Sequence, residues 1–235
     1  VIAFALLALL AGVAASCQNP FKPTKGSTFG VFVPPPSRTT ATGVIELLEW
    51  AYERRDFRVY ETLFTEDYQF FFDPNDSAGN QYRQDPWIRT YELSSARHLF
   101  EGGSAAEEQP ASSITLDYAA QLQEEDTGDG LDPVTHRRVV TPVYLEIQAG
   151  DRFVVQGTVE FYVVRADSAK IPPEIAARIT PRDWLIYGWV DRTLSGNLGA
   201  GEVTSVRFGD PEMRPAAATR DRAVYWGWLK DRWRR

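Results

Sequence analysis

The 235-residue chain has a single cysteine, a single methionine and two histidines. One cysteine excludes an internal disulfide framework and any zinc site built from several thiolates. The histidines, His98 and His136, are far apart and without neighbouring carboxylates, a poor start for a transition-metal site. No Gly-rich dinucleotide fingerprint, phosphate-binding loop, GxSxG or HExxH occurs, so neither a cofactor nor a resident metal is expected. Basic charge is also short, with 25 Lys+Arg against 32 Asp+Glu and a net charge of −7. A nucleic-acid partner is therefore not expected, because phosphate contacts need a surplus of cations. What the chain does have is apolar bulk, 43% hydrophobic and 13% aromatic, which is enough for a core. Its length suits one large domain or one domain with appendages.

The first sixteen residues, VIAFALLALLAGVAAS, carry no charge. They are short for a bilayer span but suit the hydrophobic region of an export signal, and the missing initiator Met and basic start imply a longer precursor. Ala14-Ala15-Ser16 lead directly into Cys17. This pattern resembles the bacterial lipoprotein signal, in which small residues precede a cysteine that is lipidated and becomes the mature N-terminus. The resemblance implies lipidation at Cys17, a membrane partner through that anchor, and a place in the bacterial cell envelope. Gln18 in the position after the cysteine favours the outer membrane and periplasm. Residues 17–42 hold Pro20, Pro23 and Pro34-Pro35-Pro36 among many Ser, Thr and Gly. Proline fixes φ and removes amide donors, so this stretch is expected to be an extended tether.

Residues 43–193 form the expected folded body. Val44-Ile45, Leu47-Leu48 and Ala51-Tyr52 follow the spacing of one helical face, with Thr42 as N-cap. Asp56 can cap a second helix over residues 57–64, followed by a strand at 68–72 and a turn at Asp73-Pro74-Asn75-Asp76. Asp85-Pro86 opens a third helix that runs to about Phe100 and ends at Gly102-Gly103. Beyond it, strands are expected at 114–118, 139–148, 153–163 and 184–191, with Pro142 marking an edge or a bulge.

The run ELLEWAYERRDFRVYETLFTEDYQFFFDP, residues 46–74, resembles the opening of nuclear transport factor 2-like domains, a superfamily that includes ketosteroid isomerase-like enzymes. The resemblance covers roughly residues 42–192. It implies an α+β, cone-shaped fold in which three helices from the N-terminal half pack on a strongly curved antiparallel sheet around a cavity. It is nearly silent on chemistry, because this fold hosts enzymes, binding modules and scaffolds alike.

The cavity enzymes of that superfamily need a carboxylate base with a Tyr or acid opposite. Asp73, His98, Glu160 and Tyr162 are candidates, none in a recognisable signature, and Tyr187 and Asp191 are also available. Glu160 reads more readily as a solvated or Arg-paired strand residue. Trp87, Tyr91, Ser94 and His98 share helical spacing, which makes Trp87, Tyr91 and His98 a candidate ligand-binding face if that face lines the cavity. The loop at 124–132 offers Asp126, Asp129 and Asp132 as weak Ca²⁺ ligands. It fails the EF-hand pattern at Gly128, Gly130 and Arg137, so an exposed acidic hairpin is the preferred reading.

Residues 194–235 depart in composition: a Gly/Pro/Ala-rich connection leads into a basic, Trp-rich end. From Met213 onward there are seven Lys/Arg against two Asp, net +5, which leaves the rest of the chain at −12. One reading is a membrane-surface or partner-docking element. The preferred one is a final segment that packs its tryptophans on the acidic body with its basic ends exposed. Gly227 and the mixed spacing argue against a continuous amphipathic helix, and the connection suggests a tethered element. The expectation is an exported, lipid-anchored envelope protein with a non-catalytic binding or interaction domain, its cavity filled or holding a small apolar ligand. Two alternatives stand: a cavity enzyme of the isomerase or dehydratase type using a carboxylate with Tyr or His, and a structural envelope protein that forms homodimers through the sheet.

Overall fold

A computed structural model of the protein describes residues 33–106, 108–118, 121–167, 169–194 and 221–235. The export signal, Cys17, most of the expected tether and the connection at 195–220 lie outside the described residues. The chain divides into units 1–34 and 35–235, and the elements below all belong to the second.

Helix α1 (Ala41–Arg54) buries Val44, Ile45, Leu47, Leu48, Ala51 and Tyr52, the stripe expected from spacing. Its cap is Thr40 rather than Thr42, and its hydroxyl accepts from the Gly43 N–H at 2.9 Å. The helix ends at Arg55 in the left-handed region, φ 53°, and the Arg55 guanidinium bonds the Ala111 carbonyl at 2.6 Å. Asp56 caps the next helix as expected, but α2 (Phe57–Tyr60) is a single turn. The expected helix over 57–64 stops there because Leu63 and Phe64 are drawn into the sheet: the Ile186 N–H donates to the Leu63 carbonyl at 2.8 Å. Strand β1 (Phe64–Phe71) therefore starts four residues earlier than its aromatic run suggests.

A 3₁₀ turn at Ser77–Tyr82, capped by Asp76, was not legible from periodicity. Strand β2 (Trp87–Ile88) pairs antiparallel with Gln69 and Phe70, so α3 (Arg89–Glu101) opens after it, and Trp87 stands in a strand instead of on the helix. The buried positions of α3 include Glu92, Ser95, Ala96, Leu99 and Phe100, a face with a carboxylate in it.

Next come β3 (Ser113–Tyr118), β4 (Gln123–Glu125), β5 (His136–Ala149), β6 (Asp151–Arg165) and β7 (Trp184–Leu194). The sheet runs in the order β2-β1-β7-β6-β5-β3. It is mixed rather than antiparallel throughout, because β1 lies parallel to β7. Register shifts between Tyr162 and Val163 and between Phe64 and Gln69 mark where its strands bend. Pro142 sits in β5 between the end of the β3 ladder at Val143 and the start of the β4 ladder at Val140, where a missing donor costs nothing. In β6, Phe153, Val155, Val159, Phe161 and Val163 point into the core, and Glu160 and Tyr162 to the other face.

The chain end belongs to this body. Strand β8 (Asp221–Ala223) runs parallel to Arg152–Val154, beyond the point where β7 stops pairing with β6, and α4 (Trp226–Arg234) follows. The α+β class, the helices of the N-terminal half and the curved sheet match the expected architecture. The additions are a parallel strand pair and a helix contributed by the basic tail.

Candidate functional site

Two charged residues of opposite sign meet in the core. Glu92 of α3 and Lys230 of α4 form an ion pair with side chains 1% and 2% exposed. Burying both charges is costly unless their remaining hydrogen-bonding capacity is met. For Glu92 it is met from three elements. The Tyr60 hydroxyl donates to Oε1 at 2.5 Å, the Tyr68 hydroxyl to Oε2 at 3.2 Å and the Trp87 indole N–H to Oε2 at 2.9 Å. The Lys230 ammonium also donates to Oε1, and lies 4.0 Å from the Trp189 ring centre and 4.8 Å from that of Phe70. Burial lowers the Lys230 pKa, opposed by the Glu92 charge, and burial first, with Glu92 second, raises the phenols of Tyr60 and Tyr68 well above their usual value. A carboxylate and two phenols thus converge at one point, the ingredients of acid–base chemistry, with an ammonium closing the assembly.

Helix α4 is held over this centre by both its sides and its ends. Trp226, Leu229, Lys230 and Trp233 recur at i, i+3, i+4 and i+7 and all are buried. Trp226 meets Trp189 edge to face at 4.6 Å. The body also binds the backbone of α4. Thr193 Oγ1 accepts from the Trp226 N–H at 3.2 Å and Asp191 Oδ2 from the Gly227 N–H at 2.9 Å, supplying caps that Tyr225 does not. A carboxylate there also suits the positive end of the helix dipole. Ser95 Oγ donates to the Lys230 carbonyl at 2.8 Å. The basic end is engaged as well: Arg232 pairs with Glu108 at 2.7 Å, Arg234 stacks over Tyr91, and Arg235 pairs with Asp231 at 2.7 Å.

The residues singled out from the sequence do not form one site: Glu160 meets Tyr162 on the outward face and Trp87 meets Tyr91 edge to face at 5.9 Å, but these two pairs have separate surroundings. Asp73 accepts from the Asn75 N–H at 2.8 Å and closes a turn. His98 lies with Nδ1 2.8 Å from the Trp233 carbonyl, and Tyr91 reaches Asp85 at 3.2 Å, so both meet α4 or a loop. Trp87 alone of that trio reaches the buried centre, from its strand. Glu160 pairs with Arg192 at 3.0 Å on the outward face, and the Tyr162 hydroxyl donates to it at 3.4 Å. Asp126, Asp129 and Asp132 take separate partners: Arg137 at 2.5 Å, the Thr127 hydroxyl at 2.5 Å and the Val134 N–H at 2.9 Å. Among the described residues no three His, Cys, Asp or Glu gather as a metal site.

Glu92, Tyr60, Tyr68, Lys230 and Asp191's capping role were missed by sequence reading. A signal existed: Glu92 stands at i−4 and i−7 from Ala96 and Leu99, and Lys230 at i+4 from Trp226. A charge in the apolar register of each of two helices, opposite in sign, is what a buried pair leaves in a sequence.

Among the described residues, recesses open elsewhere, and Glu92 lines neither of the following pair. One of about 380 Å³ lies against Asp67, Gln69, Phe71, Asp129, Tyr162 and Tyr187, so it holds three of the residues named from the sequence. The other, of about 460 Å³, follows residues 69–74 to Tyr82 and Arg83.

On α1, the Glu49 carboxyl is pushed up by its surroundings. Burial first, then the charges of Glu53, Asp117 and Glu46, raises the Glu49 carboxyl from 4.5 to about 7. A carboxyl raised by folding favours the folded state while protonated; that stability is fully present below the unfolded value and is lost as pH rises through the folded one. Glu49→Gln is therefore expected to stabilise the domain by about 1 kcal/mol near pH ~8, allowing for solvent screening, and to be neutral near pH ~4. Urea denaturation at both pH values checks this; an equal gain at both would contradict it.

No protein-family model and no curated protein matches the chain. Solved structures do. A nuclear transport factor 2-like superfamily protein from Salmonella enterica serovar Typhimurium is similar at 11% identity and TM-score 0.41, covering 68% of this chain and 93% of that one. A nuclear transport factor 2-like protein from Rhodospirillum rubrum is similar at 14% and 0.41, covering 64% and 95%. A hexachlorocyclohexane dehydrochlorinase is similar at 7% and 0.43, covering 72% and 90%. Overlap of this size says nothing about chemistry.

Proposed function

We propose that this is an exported envelope protein, held at a bacterial membrane by a lipid on Cys17, whose domain is a non-catalytic binding or interaction module with a closed interior. The closed interior is supported by one observation: the buried point where two phenols meet the Glu92 carboxylate is occupied by Lys230, under a helix that buries two tryptophans. General acid–base chemistry requires a substrate atom within hydrogen-bond reach of the carboxylate, and here a protein ammonium holds that place. The anchor is supported by the position of the sole cysteine, behind sixteen uncharged residues of which the last three are small. An acyl anchor is stable when several chains act together, at ~0.8 kcal/mol per buried methylene. Partners are then met by the outward surface of the domain, and its recesses at Tyr162 and at Tyr82 are the places to look.

The test is Cys17→Ser in the full chain, expressed in a lipoprotein-processing bacterium. The variant is expected to lose fatty-acid labelling and to move from the membrane to the soluble fraction. Unchanged labelling and retention would overturn the anchor. For the closed interior, native mass spectrometry of the purified protein is expected to give the bare chain mass plus lipid at Cys17; a small molecule retained inside the Cys17→Ser protein would overturn it.

A further inference from the structure

The Glu92 centre is built from the body, and Lys230 is its only ligand from α4. Three donors, Tyr60, Tyr68 and Trp87, come from α2, β1 and β2. They fix both oxygens of Glu92 and leave capacity for one further donor, since an ionised carboxylate accepts about four hydrogen bonds. The two nearest aromatic faces, Phe70 and Trp189, belong to β1 and β7. Of the rings around the ammonium only Trp226, 6.0 Å away, is carried by α4. A carboxylate already held by neutral donors, its remaining side occupied by an ammonium and walled by ring faces, is the recognition chemistry of an organic ammonium ion.

A purely structural account asks for something else. If position 230 served only to fill the core, an apolar side chain of similar volume would avoid the desolvation of two charges. If the pair served only to set the register of α4, the body would need a counter-charge but no aromatic enclosure. We propose that the floor of the core is a primary-ammonium site, formed by Glu92, Phe70 and Trp189, which this chain fills with its own Lys230. The ligand class is a primary ammonium on a short unbranched alkyl stem, the chemistry that Lys230 itself presents. The proposal is independent of the anchor at Cys17, which its test leaves intact.

Lys230→Ala in the full chain removes the equivalent of one n-propylammonium ion and leaves the space it occupied. Free n-propylammonium is then the probe, with n-propanol as the neutral comparator and tetramethylammonium as the bulky cation. Propylammonium is expected to raise the Tm of the variant saturably, by about 3 °C or more, while the comparators at equal concentration do not. The same amine is expected to leave the wild-type Tm unchanged, because Lys230 fills the site. Adding Glu92→Gln to the variant is expected to abolish the response. An equal effect of propanol would reduce the site to an apolar void and overturn the proposal. A response that survives Glu92→Gln, or no saturable response at all, would overturn it too. Should Lys230→Ala fail to fold alone, its refolding yield from urea is read against the same three compounds. Propylammonium must then raise the yield above propanol, and equal yields count against the site.

Discussion

Glu92→Ala is expected to cost the domain about 3–5 kcal/mol, the loss typical of removing one partner from a buried ion pair. The variant strands the Lys230 ammonium, 2% exposed, without its counter-charge. It also leaves the Tyr60 and Tyr68 hydroxyls and the Trp87 indole N–H without their acceptor. Each unmatched buried donor adds to the loss, and the side-chain volume leaves a void. Urea unfolding at neutral pH reads the effect. The double variant Glu92→Gln/Lys230→Met separates causes: the amide oxygen keeps an acceptor for Tyr68 and Trp87, its NH2 donates to the Tyr60 hydroxyl oxygen, and methionine removes the stranded charge. It is therefore expected to be more stable than Glu92→Ala and more stable than the sum of its own single changes predicts. Additive losses, or a loss below about 1 kcal/mol for Glu92→Ala, would mean that the pair is not coupled as its geometry requires.

Trp226→Ala is expected to cost about 3–5 kcal/mol as well, by a different route. Its indole is fully buried, edge to face with Trp189 at 4.6 Å and with Tyr52 at 5.8 Å. Truncation opens a void between α1, β7 and α4 that surrounding rings cannot close, because each is fixed by further ring contacts. Trp226→Phe keeps most of that contact and is expected to lose less than half as much. The readout that matters is cooperativity. If α4 is part of the body, the variant unfolds in one transition at a lower urea midpoint. A separate early transition, with faster hydrogen exchange confined to 226–234, would mean that α4 docks as an independent appendage.

Some elements were legible because their information is local. The α1 stripe from Val44 to Tyr52 and the alternation of β6 follow from single-element periodicity, and Asp56 caps α2 through its own side chain. The errors fall where a neighbouring strand competes with local propensity. Leu63 and Phe64 read as a helix face until β7 takes them into a parallel pair, and Trp87 reads as helical until it pairs with Phe70. The tail packs its tryptophans on the body, as its preferred reading has it, but as a continuous helix that Gly227 and the mixed spacing argued against: Trp226, Leu229, Lys230 and Trp233 form one buried stripe.

The candidate site was less legible than the fold. Tyr60, Tyr68, Trp87, Glu92 and Lys230 are spread over 171 positions of the chain, and nothing local marks them as partners. The sequence by itself determined the places of five of the strands, through patterns a few residues long, and its resemblances implied the α+β class and the expectation that Cys17 carries a lipid. Only the tertiary structure decided that the basic tail is a core element and that its lysine meets Glu92. The burial of an ion pair is a property of two surfaces brought together, and each charge on its own chain segment looks like any solvated one.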